Sequence, residues 1–410
     1  MAKTLLAALA SILLVGAVIY QSEAAFQASL QALTLWWNIV FPGLLPFLVL
    51  FELITAFGLV HGIGVLLQPL MRRLFRLPGE AALPLLFGWL SGFPAGAETT
   101  AMLRRHGQVT LQEGQRLLAF SHMPNPIFML VVLGAGFMHR PELGLLIAAA
   151  VWLAALWTAW LLLLTSRSEA LPSRAAQVQE GRLIERAAKA ITAARESDGR
   201  SFGRALGEAV SGGVQKLMLI GGLIIFTAVI ARLMLPLWLS ISSGSWWEAL
   251  FLPALLESHI GTYTAAVLEA PSLTPVLSAA ITAAILAWSG ISGLLQAGYS
   301  TSGTELKLLP LAGAKLLHAA HAAWFVVLLW KPGQLLLASA PFDFLRQAAS
   351  VLPVFSSNGA WMNRPVSGYF QTQHFPNLWP YTLASSALLL LLFLLAALYM
   401  LARRKADIPK

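Results

Sequence analysis

The sequence predicts an all-α polytopic membrane protein, with about eight transmembrane helices plus two re-entrant hairpins arranged as an inverted repeat. Three observations predict it. Hydrophobic residues fill 58% of the 410 positions and charged residues 11%, with a mean hydropathy of +0.72; a soluble domain carries about a quarter charged residues. Stretches such as Leu143–Leu164, Leu217–Leu239, Leu308–Trp330 and Leu383–Leu401 stay apolar over the ~20 residues that a helix needs to cross a bilayer. The order helix, hairpin, broken helix, helix occurs once before the polar stretch Ser166–Leu206 and once after it. In hydrocarbon the backbone must satisfy its own hydrogen bonds, which leaves helices or closed barrels. The short alternating strands of a membrane barrel are absent from the sequence pattern.

Each element follows from charge and interruption. Lys3 precedes the apolar run Leu5–Tyr20, read as an uncleaved first helix because it is longer than a usual signal-peptide core. Gln21–Ser29 lacks Lys and Arg and is read as an outer loop. Helix 30–57 returns inwards, and 58–77 lies along the inner surface with Arg72, Arg73 and Arg76 at its end. Residues 81–103 are too interrupted for one span and form a hairpin with its tip at 91–96; 111–138 crosses outwards, broken at 121–126; helix 142–165 comes back. The basic residues from Arg167 to Arg204 make the next stretch a cytoplasmic linker, helical in part. Then come helix 209–235, a hairpin at 248–270 entered from outside, an inward span 273–306 broken at 289–293, and helix 310–331. The expected division is 1–29 (N-terminal helix and outer loop), 30–165 (first repeat), 166–208 (linker), 209–331 (second, inverted repeat), 332–379 (external segment) and 380–410 (C-terminal helix and basic tail). Both termini fall on the cytoplasmic side, with Arg403, Arg404 and Lys405 marking the second. The net charge of +9 reflects this topology signal, so no nucleic-acid partner is expected.

The chemistry gathers at the interruptions. Gly92, Gly96, Gly261, Gly290 and Gly293 let backbone approach a ligand, while Pro94, Pro124 and Pro126 force breaks. Ser91, Thr99, Ser121, Asn125, Ser258, Thr262, Ser289 and Ser292 offer neutral hydrogen bonds, and the starts of half-helices offer unpaired N–H groups to an anion. The plainer reading of such small residues is close helix packing in lipid. Glu98 and Glu257 flank the hairpin tips. An intramembrane carboxyl group carries a coupling proton or sodium ion, accepts amide bonds at a helix start, or is a satisfied packing group. His122 and His259 sit at the matched breaks; hydrogen bonding to substrate or to a carbonyl is favoured over a metal pair, because no ligand motif accompanies them. His318 and His321 share a helix face with Lys315 and either line a pathway or bond between helices. Glu52 is read as structural. No metal site and no cofactor are expected, and no HExxH, P-loop or GxSxG run suggests an enzyme. The absence of cysteine removes disulfides and thiolate chemistry.

The segments Phe41-Pro42-Gly43-Leu44-Leu45-Pro46-Phe47, Leu67-Gln68-Pro69-Leu70-Met71-Arg72, Ser91-Gly92-Phe93-Pro94-Ala95-Gly96-Ala97 and Ser121-His122-Met123-Pro124-Asn125-Pro126 resemble the sporulation integral membrane protein family YlbJ, also called SpoVV. The similarity runs from around residue 30 to around residue 330. The resemblance implies two gate, or nucleoside-recognition, domains, as also found in ferrous-iron transporters and spore maturation proteins, in a layout similar to concentrative nucleoside transporters. Its sporulation members are associated with moving dipicolinate across the outer forespore membrane. The expected function is therefore transport of a small organic anion, dipicolinate by resemblance, through a midplane site between the repeats. The expected partners are that substrate, a coupling proton or sodium ion, the bilayer, and a second copy in a homo-oligomer. The other readings are a non-transporting assembly protein of spore or envelope development, and a gate-type permease for nucleosides or metal ions.

Overall fold

The computed structural model describes residues 2–165, 182–241 and 245–338. Its elements are all helical: α1 (Ala2–Tyr20), α2 (Ser22–Leu35), a π-helical turn (Trp36–Val40), α3 (Phe41–Ala56), α4 (Leu59–Phe75), α5 (Ala82–Ser91), α6 (Ala95–Arg105), α7 (Leu111–Ser121), a π-helix (Phe128–Phe137), α8 (Pro141–Thr165), α9 (Leu183–Asp198), α10 (Phe202–Ser240), α11 (Trp246–Leu256), α12 (Ser258–Val267), α13 (Pro275–Trp288), α14 (Gly290–Ser300) and α15 (Leu308–Ala338). Among the described residues four helices are long and apolar enough to cross a membrane unaided: Pro141–Leu164, Phe202–Ser240, Pro275–Ser300 and Leu308–Leu335. Two bent pairs, α1 with α2 at 96° and α3 with α4 at 79°, raise the number to at most 6. The expected span 111–138 is divided between the 11-residue α7 and the π-helix. The C-terminal helix and tail expected at 380–410, the external segment beyond Ala338 and residues 166–181 of the linker lie outside the described residues.

Helix boundaries follow local chemistry. Thr110 and Glu113 form a capping box at the start of α7, with Thr110 N donating to Glu113 Oε2 at 2.8 Å and Glu113 N to Thr110 Oγ1 at 3.2 Å. Ser201 caps α10, and Thr274 followed by Pro275 opens α13. Gly199, in the left-handed region, closes α9. The expected outer loop 21–29 is helical: its residues are polar but include good helix formers, and Ala25 and Ala28 are buried as part of α2. At its other end α10 starts seven residues earlier than expected, at Phe202, and α15 runs on through Pro332.

On α8 and α13 the buried faces are rich in small residues. Ala148, Ala150, Ala154 and Ala155 of α8 face inwards, as do Ala279, Ala280 and Ala283 of α13, while Trp157, Phe226, Met234, Leu316 and Trp324 face outwards. Small residues inside allow backbones to approach, as where a Cβ on Gly134 would lie 2.7 Å from Gly144 Cα; large apolar residues outside meet lipid. Leu5, Ile12, Leu13 and Ile19 of α1 are exposed in the same way. This is an integral membrane protein.

Polar contacts tie the 104–110 turn and the start of α7 to the 300–307 turn. Arg104 pairs with Glu305 at 3.2 Å, Arg105 donates to the carbonyls of Ser300 and Ser302, and Gln115 bridges to Lys307. α9 docks on α4, where Ile191 packs on Gly58 and Gly62, Arg186 donates to Gln68 Oε1 at 2.7 Å, and Arg195 lies 5.0 Å from the Phe57 ring centre.

Candidate functional site

Four interruptions meet at the centre of the chain's packing. In the first helix pair, Gly92 adopts a φ of +79° and sits against Asn125, whose backbone N would be 2.8 Å from a Cβ at that position. Where α7 stops, its last carbonyls have no helical N–H ahead of them, and donors from three other elements serve them. Trp89 Nε1 of α5 donates to Phe120 O at 3.0 Å, Lys315 Nζ of α15 to His122 O at 2.7 Å, and Phe93 N to Met123 O at 2.8 Å. Asn125 then opens the π-helical half: its Oδ1 accepts from Ile127 N at 2.7 Å and Phe128 N at 3.2 Å, and its Nδ2 donates to Ser91 O at 3.0 Å.

The second pair uses different residues for the same task. Glu257, buried between α11 and α12, accepts Ile260 N on Oε2 at 2.7 Å. Its Oε1 lies 2.7 Å from His259 Nδ1 and 3.5 Å from Ser292 Oγ. Gly290, at a φ of +71°, lets the start of α14 press on this turn, with Ser258 N only 2.9 Å from where a Cβ would stand. Trp288 Nε1 donates to Leu255 O at 3.0 Å.

Between the two tips lies a narrow pocket. Ser91, Gly92, Phe93, Pro94 and Ala95 form one wall; Asn125, His259 and Gln296 continue it; Leu44, Leu48, Ile220 and Lys216 complete it. Phe93 stacks on His122 with ring centres 4.8 Å apart and stands 6.4 Å from His259, which in turn meets Phe128 edge-on at 4.5 Å. Lys216 Nζ is 3.5 Å from Glu98 Oε2, both partly exposed. Several buried polar atoms here have no hydrogen-bond partner: Ser91 Oγ, Gln296 Oε1, Ser289 Oγ and both ring nitrogens of His122. Unpaired polar atoms at such depth are costly. They are what a ligand with its own donors and acceptors would satisfy. Among the described residues no group of three or more His, Asp or Glu side chains is arranged to hold a metal ion.

The sequence relationships bear on this pocket directly. The family model Gate, described as nucleoside recognition, matches residues 38–140, which hold the first helix pair and the first break. The sporulation integral membrane protein YlbJ of Bacillus subtilis (strain 168) is 35% identical over 340 residues, covering 80% of this chain and 83% of that protein. This chain belongs to the YlbJ family. No solved structure matches it.

In this YlbJ-family chain the sequence-derived candidates fall into three groups. Ser91, Gly92, Pro94, Asn125 and His259 line the pocket. His122, Ser289 and Gly293 lie behind Phe93, and a Cβ on Gly293 would be 3.5 Å from His122 Nε2. Glu98 pairs with Lys216, and the remainder hold the breaks in shape. Ser121 bonds Thr100 at 3.1 Å; Thr99 donates to Ala95 O at 2.8 Å and Thr262 to Ser258 O; Ser292 reaches Glu257. Buried Ser258, with Gly96, Gly261 and Gly290, packs on backbone. The half-helix starts at Ile127 and Ile260 already bond the protein's own Asn125 and Glu257, which leaves Lys216, itself paired with Glu98, as the basic side chain lining the pocket. Lys216 and Gln296 line the pocket without standing at any interruption that the sequence marks. Lys216 had a signal: it is the lone cation between Arg204 and Arg232 in an apolar run, and an intramembrane charge is a functional candidate by default. On α15, His318 Nε2 bonds Val151 O at 2.9 Å and His321 Nδ1 bonds Thr158 Oγ1 at 2.9 Å, which is helix-to-helix bonding.

Proposed function

We propose that this protein carries a small organic anion across the membrane through the pocket between the two helix-pair tips. The observation behind the reading is the pocket itself: backbone interrupted at membrane depth persists only when buried or lining a cavity, and here both tips border one space holding Lys216 and unpartnered polar atoms. The rings of Phe93 and His259, which line the pocket with Lys216, suit a flat, negatively charged solute such as dipicolinate. The Gate match supports a second reading, a nucleoside, whose base the Gln296 amide and stacked Phe93 would accept. Uptake of labelled dipicolinate and of labelled nucleosides into proteoliposomes, with and without ion gradients, separates them. Dipicolinate uptake above that of empty vesicles, largely lost in Lys216→Ala, is the expected result. Uptake of nucleosides alone favours the second reading, and uptake of neither solute removes the transport reading.

The same proposal places α9, the 104–110 turn and the 301–307 turn on the cytoplasmic side together with both termini, in the outer forespore membrane where the organism sporulates. The Arg104–Glu305 contact supports putting the two turns together. Since the chain has no cysteine, single substitutions report cleanly. Ser201→Cys should be labelled from the cytoplasmic side and Ser272→Cys from the outer side by an impermeant maleimide. The reverse pattern would invert the whole arrangement.

A further inference from the structure

Behind the first break stands a buried lysine that the pocket does not use. Lys315 is fully buried on α15, with Nζ 2.7 Å from His122 O and 3.0 Å from His318 Nδ1. His318 Nε2 lies 2.9 Å from Val151 O; a carbonyl only accepts, so Nε2 carries the proton and Nδ1 is free to accept from the lysine. Among the described residues no carboxylate stands within ion-pair distance of Nζ. The titratable groups around it are His122 at the end of α7 and His318 and His321 on α15 itself; α13 and α8, which pack alongside, bring none at this level.

A buried cation without a counter-ion is costly unless other dipoles replace water. Here the replacement is the C-terminal end of a half-helix, where the helix dipole is negative and carbonyls lack N–H partners. In broken-helix transporters that is the kind of place where unwound carbonyls coordinate a monovalent cation. We infer that the Lys315 ammonium is a tethered cation filling a monovalent-cation position at the end of α7. The chain's own repetition sharpens this. The spacing that carries Ser91 to Ser258 and Trp157 to Trp324 also carries Ala148 to Lys315. The earlier helix therefore sets a buried methyl group where the later one sets a charge, and one break holds a built-in cation. The site stands on these contacts alone. Its consequence for flux, that external sodium is not needed at this break, rests on the transport reading.

The test uses the full-length protein with Lys315→Ala and Lys315→Gln. Melting temperature in detergent is measured in methylammonium, sodium or choline chloride at equal ionic strength, and dipicolinate uptake is measured in proteoliposomes. Wild type should show the same melting temperature and uptake in all three salts. Lys315→Ala should melt lower, and methylammonium or sodium, but not choline, should raise its melting temperature. Its uptake should fall roughly tenfold, about what one charge-assisted hydrogen bond is worth, and recover in part with the same ions. Lys315→Gln keeps a donor without the charge and fills the space, so it should lose uptake with no rescue by any salt. Wild-type melting and uptake in Lys315→Gln would overturn the assignment, as would a folded Lys315→Ala indifferent to every cation. If wild type moves neither dipicolinate nor nucleosides while Lys315→Ala still responds to small cations, the transport reading falls and the cation site remains.

Discussion

Gly88→Ala should leave little folded protein. A Cβ at Gly88 would lie 1.7 Å from Ser121 O and 2.6 Å from Ser121 C, both backbone atoms at the end of α7. No rotamer change relieves such a contact, so α5 would have to move away from α7. That movement would also pull Trp89 from Phe120 O and Phe93 from Met123 O. Overpacking a well-packed core costs about 1–3 kcal/mol, occasionally more; a clash with fixed backbone belongs at or above the upper end. Detergent-solubilised yield and melting temperature measure it. Gly207→Ala on α10 is the control, since a Cβ there meets nothing within 4 Å, and removing a helical glycine is stabilising by about 0.4–1 kcal/mol. Equal behaviour of the two variants would show that α5 and α7 are not packed as described.

Glu257 gives the second large effect, and the choice of substitution divides two roles. Glu257→Ala strands Ile260 N–H, takes the carboxylate from His259 and opens a gap beside Ser292. The lost cap and the buried unsatisfied groups together amount to about 2–5 kcal/mol. Glu257→Gln keeps an acceptor oxygen for Ile260 and should be milder, about 1–3 kcal/mol. Because the carboxylate is engaged with the start of α12 and lies outside the pocket wall, Glu257→Gln should retain part of the dipicolinate uptake in proteoliposomes. Complete loss of gradient-driven uptake at unchanged melting temperature would instead give Glu257 the coupling ion.

Much of this architecture is written locally in the chain. Glycine, proline and serine interrupting apolar runs mark the turns at 92–94, 122–126, 257 and 289, because each interruption removes a donor or permits a backbone state closed to other residues. What escaped depends on distant contacts. Lys216 is a lone cation in an apolar run, but its place beside the first tip depends on how α10 packs. Whether Glu257 faces a ligand or its own helix start depends on a φ of −144° at that residue, which no spacing rule supplies. The π-helical turn at Trp36–Val40 accompanies an indole that reaches Leu217 O at 3.1 Å, with Gly221 making room for the ring. Neither residue is near it in sequence. The absence of Lys and Arg over 21–29 speaks to the side of the membrane and not to backbone state, and Ser22 onwards is helical as part of α2.

The bond from Lys315 to His122 O spans 193 residues, and chains are made from the N-terminus onwards. While residues up to the linker are being inserted, the end of α7 has a carbonyl at membrane depth whose intended donor does not yet exist. The early half therefore waits on the ribosome in an unfinished state, held by water or by insertion machinery, until α15 arrives to close it. A chain halted after α8 would lack that donor permanently, and the first half alone is expected to be less stable than the whole.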